Sequence, residues 1–179
     1  MKLTAMPAAL AAFAVLTGCE SPTPTLLSLE PAATAKDAAT DSALVGTWQE
    51  QGDKFPLTII RPGDKGYQIA LFTDNSVTGF QAQLFRVGDA ELLDLTPTDD
   101  NDFRIPGHAI VRIWTSSSVL RWAFLDSDWL KQRANALASH TVDGKMQLFS
   151  STDAVRAFID ANGANDQAYG KVAIWERVQ

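Results

Sequence analysis

Cysteine is almost missing from this chain. Cys19 is the single thiol in 179 residues, so no disulfide can close within the chain and no zinc site can be assembled from its thiolates. Positive charge is also scarce. Lys and Arg number 15 against 21 Asp and Glu, a formal net charge of -6. That balance argues against sequence-independent binding of nucleic acid, which rests on clustered cations. The two histidines, His108 and His140, fall in different elements with no carboxylate or cysteine at ligand spacing. A surface or satisfied imidazole is the expected state of each. No Gly-x-Ser-x-Gly elbow, Ser-x-x-Lys pair or phosphate-cradling glycine loop occurs. Ser116-Ser117-Ser118 reads as a turn for which the sequence supplies no general base. Asp99-Asp100-Asn101-Asp102 lacks the alternating ligands, the Gly and the distant Glu of a calcium loop. This inventory predicts a protein that is not an enzyme, with no cofactor and no metal.

What is present starts with an export segment. Lys2 gives a small positive head, and Ala8 to Leu16 is an apolar run too short to cross a bilayer as a mature helix. The run ends in Leu16-Thr17-Gly18-Cys19. This resembles the lipobox of bacterial lipoproteins: an aliphatic residue, two small or neutral ones, then cysteine. The resemblance implies that residues 1–18 are a signal peptide, cut before Cys19, and that Cys19 carries the lipid that ties the protein to a membrane. Several acyl chains, at about 0.8 kcal/mol per buried CH₂, would make the anchoring effectively permanent. Glu20 stands where an aspartate commonly retains such proteins in the inner membrane. By that analogy the expected place is the outer membrane, facing the periplasm.

Residues 19–43 read as the lipidated cysteine and a tether. The stretch is Ala, Thr, Ser and Pro with few large side chains, and Pro22, Pro24 and Pro31 oppose regular structure. Such a segment buries too little to offset its ordering entropy. Flexible-chain scaling gives a reach of roughly 25–30 Å. Leu26, Leu27 and Leu29 are the exception, able to lie against the domain or the lipid surface.

Residues 44–179 read as one domain of short strands, near 44–50, 56–61, 66–73, 77–87, 90–95, 108–115, 118–125, 145–150 and 171–178. Turn residues separate them, as in Pro62-Gly63-Asp64-Lys65-Gly66 and Val87-Gly88-Asp89. Tyr67-Gln68-Ile69-Ala70-Leu71 alternates with period two, as a half-buried strand does. Two helices interrupt the series. One runs from Asp126 to Ala138, with Asp126 as N-cap; the other runs from Ser151 to Ala161 and ends at Asn162-Gly163. The class expected is mostly β, an antiparallel barrel of about 8–9 short strands.

The most specific local expectation is a hairpin at 108–125. A loop centred on Ser116 and Ser117 sets Val111 opposite Trp122, Ala109 opposite Phe124 and Ile113 opposite Leu120, an apolar face that belongs in the core. The other face sets Arg112 opposite Arg121. Two facing arginines repel unless water, an acid or an anion separates them. This face is therefore expected outside, either solvated, paired with a local Asp or Glu, or docked on a partner protein, with an interior site for a carboxylate or phosphate as the remaining alternative.

The start and the end of the domain suggest a family. Val45-Gly46-Thr47-Trp48 resembles the Gly-x-Trp opening of lipocalins and lipocalin-like barrels, and Val172-Ala173-Ile174-Trp175-Glu176-Arg177 resembles the closing strand of small lipocalin-like bacterial domains. The resemblance implies that Arg177 stacks on Trp48. The family's Thr-Asp-Tyr signature has no counterpart here, which narrows the likeness to the barrel itself. It implies a small apolar or amphipathic ligand held in the barrel, with Trp48, Val111, Trp122, Phe124 and Trp175 as candidate lining residues. Two alternatives stay open: the five tryptophans are core packing and the barrel is filled, or the protein docks an envelope partner through the face of Arg112 and Arg121.

Overall fold

The computed structural model describes residues 26–52, 55–98, 107–142 and 145–178. Cys19 with its signal peptide, and the acidic tip at 99–102, lie outside the described residues.

The chain opens with β1 (Leu26–Ser28), then a short 3-10 turn over Ser42–Leu44. Seven strands follow: β2 (Gly46–Glu50), β3 (Leu57–Gly63), β4 (Gly66–Phe72), β5 (Val77–Val87), β6 (Ala90–Pro97), β7 (Ala109–Thr115) and β8 (Val119–Phe124). Next come α1 (Ser127–Arg133), β9 (Ser139–Val142), β10 (Lys145–Leu148), α2 (Thr152–Asn162) and β11 (Ala173–Arg177). Strands β2 to β8 form an antiparallel meander. β11 pairs with both β8 and β2 and closes a barrel of eight strands. Closure removes the unpaired edges that an open sheet of this size would expose. β1, β10 and β9 make a separate sheet of three strands. The strand expected near 145–150 therefore belongs to this side sheet and not to the barrel, and β9 beside it was not expected at all.

Alternation puts two apolar cores on the two sides of one wall. Inward go Trp48, Ile60, Leu84, Leu93, Val111, Ile113, Leu120 and Trp175, which fill the barrel. The neighbouring residues on the same strands, Phe85, Leu92, Ile110 and Ala123, point outward and meet Trp129, Leu130, Val155 and Ile159 of the two helices. Strands apolar on both faces need cover on both. α1 and α2 supply it on the flank of β5 to β8. Asp126 caps α1 by accepting from the N–H groups of Asp128 and Trp129 at 3.0 and 2.8 Å, and Ser151 caps α2. The first helix is shorter than expected. It ends at Arg133 and tightens into a 3-10 turn over Ala134–Ala136.

The hairpin of β7 and β8 has the expected faces and a corrected register. Val111 pairs with Phe124, Ile113 with Trp122 and Thr115 with Leu120, two residues away from the pairing read from sequence. The Ser116 N–H donates to the Val119 carbonyl at 2.9 Å, so the loop is Ser117-Ser118. A shift of two keeps every side chain on its side. It also takes the arginines apart: Arg112 faces Ala123, and Arg121 faces Trp114.

The tether expectation fails for residues 26–43, which lie along the domain as a strap. β1 runs parallel to β10. Ser28 and His108 exchange two backbone hydrogen bonds of 2.9 and 2.7 Å, and the Ala39 N–H donates to the Leu84 carbonyl at 2.8 Å. Ala32 and Ala33 are buried. The alanines that make the stretch look featureless are what let its backbone sit this close to the barrel wall.

Candidate functional site

One end of the barrel is sealed. The Trp48 ring is fully buried and its Nε1 donates to the Leu44 carbonyl at 2.9 Å. The Arg177 guanidinium lies over that ring at 4.2 Å, as the resemblance implied. It donates to the carbonyls of Val45, Ala43 and Ser117 at 2.7, 2.5 and 2.7 Å. Gly46 is what admits it. The φ there is 155°, and a Cβ at this position would stand 2.2 Å from Arg177 Nη1. Tyr67 adds to the seal from β4: its hydroxyl accepts from the Asp41 N–H at 2.6 Å and donates to the Asp41 carbonyl at 3.0 Å.

Above this plug the barrel holds a cavity of about 200 Å³. Its wall includes Val111, Trp122, Phe124 and Trp175, four of the five residues proposed from sequence; Trp48 forms the base and does not line it. The aromatic rings pack edge to face, Trp122 on Phe124 at 5.4 Å and Trp122 on Trp175 at 5.1 Å. Towards the far rim the lining residues Ile69, Leu71, Phe80, Leu95 and Phe124 are only half-buried, so access lies at the end opposite Trp48. None of the lining residues is ionisable. Three buried polar atoms of lining residues, Thr58 Oγ1, Trp122 Nε1 and Trp175 Nε1, have no hydrogen-bond partner among the described residues.

The outer arginines part company. Arg112 is buried, stacked at 4.9 Å on Trp114 and 5.3 Å on Tyr169, with its Nη1 2.7 Å from Asp166 and 3.1 Å from the Ala164 carbonyl. The acidic partner expected for this face is thus found for Arg112, which leaves it no free surface. Arg121 stays exposed beside Trp114. The Tyr169 hydroxyl donates to the Gly163 carbonyl at 2.7 Å, and burial pushes its pKa well above the usual phenol range.

A second, polar cleft of about 340 Å³ lies outside the barrel, between the strap at Pro31 and the β3–β4 turn. At its floor His108 Nδ1 meets Asp94 Oδ1 at 2.7 Å, with Thr96 Oγ1 3.2 Å away. The other oxygen of Asp94 accepts from the N–H groups of Ala32 and Ala33 at 2.7 and 3.0 Å. The carboxylate is almost fully buried and serves as the clip that holds the strap. Sequence reading missed this pair. Asp94 sits on β6 and His108 directly precedes β7, 14 positions further on, and no local spacing announces them. His140 is exposed, and among the described residues no cluster of His, Cys, Asp and Glu could hold a metal ion.

No family model, curated protein or solved structure matches this chain, so the functional reading rests on its own geometry.

Proposed function

We propose that this is a lipid-anchored protein of the bacterial cell envelope whose lipocalin-like barrel binds a small apolar or amphipathic ligand without catalysis. The observation that carries the reading is the cavity: apolar, plugged below by Trp48 and Arg177, reachable from the other end, and walled by Trp122, Phe124 and Trp175. A dry apolar cavity of about 150 Å³ is large enough to hold benzene, so this one suits a compact molecule and not a long acyl chain.

The lipobox supports the anchor through Cys19, and Glu20 supports the outer membrane. The strap alters the expected standoff. Only seven positions separate Cys19 from Leu26, the first residue of β1. Fully extended, that length spans at most about 25 Å. The barrel would therefore ride close to the lipid headgroups. Docking of an envelope protein is the alternative, and exposed Arg121, paired across the strands with exposed Ile174, is the surface that favours it.

Native mass spectrometry of the protein purified from its own host tests the binding reading, with Val111→Trp as the filled-cavity control. The expected result is a retained small molecule on the parent protein that the variant lacks. A bare mass for both would move the reading to docking. Metabolic labelling with palmitate should mark the protein and fail to mark Cys19→Ser; label in both, or in neither, would remove the anchor.

A further inference from the structure

The geometry of the polar cleft outside the barrel points to a second binding site, independent of the apolar cavity, that takes a neutral, hydroxyl-rich molecule of the saccharide class.

The strand register builds its floor. Asp94 pairs with Ile110, which packs with the helices outside the wall, so the Asp94 side chain points outward as well. Pairing and alternation carry that face to Gln83 and Gln81 on β5, to Gln68 on β4 and to Thr96 on β6. Gln68, Gln81 and Thr96 thus stand in one row across three strands. His108 continues the row, with its Nδ1 3.2 Å from Thr96 Oγ1. The row lies between two overhangs, the strap at Pro31 and the turn at Asp64-Lys65-Gly66. Gly66 lets that turn close down on β5: its φ is 134°, and a Cβ there would collide with the Ala82 carbonyl oxygen. The enclosed volume, about 340 Å³, falls in the range of small-molecule sites.

The state of His108 says what the floor offers. The Asp94 carboxylate is 3% exposed and its Oδ1 lies 2.7 Å from Nδ1. A buried carboxylate only accepts, so Nδ1 carries the proton of the neutral ring and Nε2 is left as an acceptor. Nε2 has no hydrogen-bond partner among the described residues. The Thr96 hydroxyl accepts from Nδ1 and keeps its own proton to donate. Gln68 and Gln81 are exposed, and each amide both donates and accepts. Neighbouring hydroxyls, which also do both, match such a row.

Other classes fit less well. Asp94 has no capacity left for a cation, since one oxygen meets His108 and the other accepts from the N–H groups of Ala32 and Ala33. Lys65 is the only Lys or Arg among the lining residues, and it is exposed next to Asp64, which is poor provision for an anion. An extended peptide adds to a free sheet edge, and these strands belong to a closed barrel.

Two matched pairs of disaccharides test this: N,N′-diacetylchitobiose against its cationic deacetylated form, and cellobiose against anionic cellobionate. Each is titrated into the ¹⁵N-labelled protein at constant pH while NMR follows the His108 ring nitrogens and the side-chain amides of Gln68 and Gln81. At least one neutral sugar should bind saturably and move Nε2 upfield, the direction given by a hydrogen bond to a bare ring nitrogen. Its charged counterpart should bind more weakly. Gln81→Ala should weaken binding roughly fivefold for each net hydrogen bond lost, with an unchanged melting temperature. Val111→Trp, which fills the barrel, should leave sugar binding as it was. The proposal falls if no neutral sugar shifts these signals, if Gln81→Ala binds as tightly as the parent, or if the charged forms bind tighter. Loss of sugar binding in Val111→Trp would put the sugar in the barrel and also overturn it, whereas failure of the barrel to hold an apolar ligand would leave it standing.

Discussion

Arg177→Ala is the substitution whose consequence can be worked most fully from the structure. The guanidinium makes three hydrogen bonds to backbone carbonyls, and covers the Trp48 ring at 4.2 Å. A hydrogen bond to a charged group is worth about 1.5–3 kcal/mol where water is excluded. The bonds to Val45 and Ala43 are partly buried, so the low end applies; the bond to Ser117 is exposed and adds little. The ring contact adds about 1 kcal/mol. Truncation should therefore cost about 4 kcal/mol, and urea unfolding should show it as a lower midpoint at an unchanged slope. In a chain of this size the melting temperature should fall by about 8–16 °C. Arg177→Lys should recover only part of the loss, because one ammonium cannot span the carbonyls that the planar fork reaches together. Gly46→Ala should mimic the truncation, since its methyl would occupy the space of Nη1. In the double variant the two losses should not add. A cost below about 1 kcal/mol for Arg177→Ala, or full additivity with Gly46→Ala, would refute the view that this arginine seals the barrel.

The clip and the tyrosines give further outcomes. Asp94→Asn keeps the shape but weakens the acceptor for Ala32, Ala33 and His108; it should cost about 2–3 kcal/mol and expose the strap to trypsin after Lys36, and an unchanged digestion rate would count against the clip. Burial raises the pKa of both tyrosines, Tyr67 and Tyr169, above the ordinary 10.0. The folded chain then prefers the neutral phenols, so their contribution is complete below pH 10 and is lost as the pH rises beyond it. Phenolate absorbance should appear only together with alkaline unfolding, and titration of either ring at its ordinary value in the folded protein would contradict this.

The barrel was legible because strand alternation depends only on neighbouring residues. Tyr67, Ile69 and Leu71 point inward as their spacing requires, and the Trp48–Arg177 pair was visible from the two ends of the domain. The hairpin register was not legible, because Ser116, Ser117 and Ser118 give a two-residue loop no chemical preference for its place. Its faces survived because the error was an even number. The strap escaped for a different reason. Composition reports how much a segment can bury, and an alanine-rich one buries little per residue; it does not report hydrogen bonds offered from elsewhere, such as those of Asp94, Leu84 and His108. Val111, Trp122 and Phe124 of the cavity wall were found from the alternation of the hairpin and Trp175 from the closing-strand resemblance, while Thr58 was overlooked because a lone threonine in a strand looks like any other.

The wall shared by the two cores has a mechanical consequence. On the flank of β5 to β8 each strand is gripped from inside and outside, so an outward step there would break the contacts of α1 and α2 as well. On β3 and β4 the outer face carries Arg61 and Gln68 towards solvent, with no second layer behind them among the described residues. If the barrel breathes to admit a guest, the stiff flank stays still and the thin one gives way, so amide exchange should be fastest along β3 and β4.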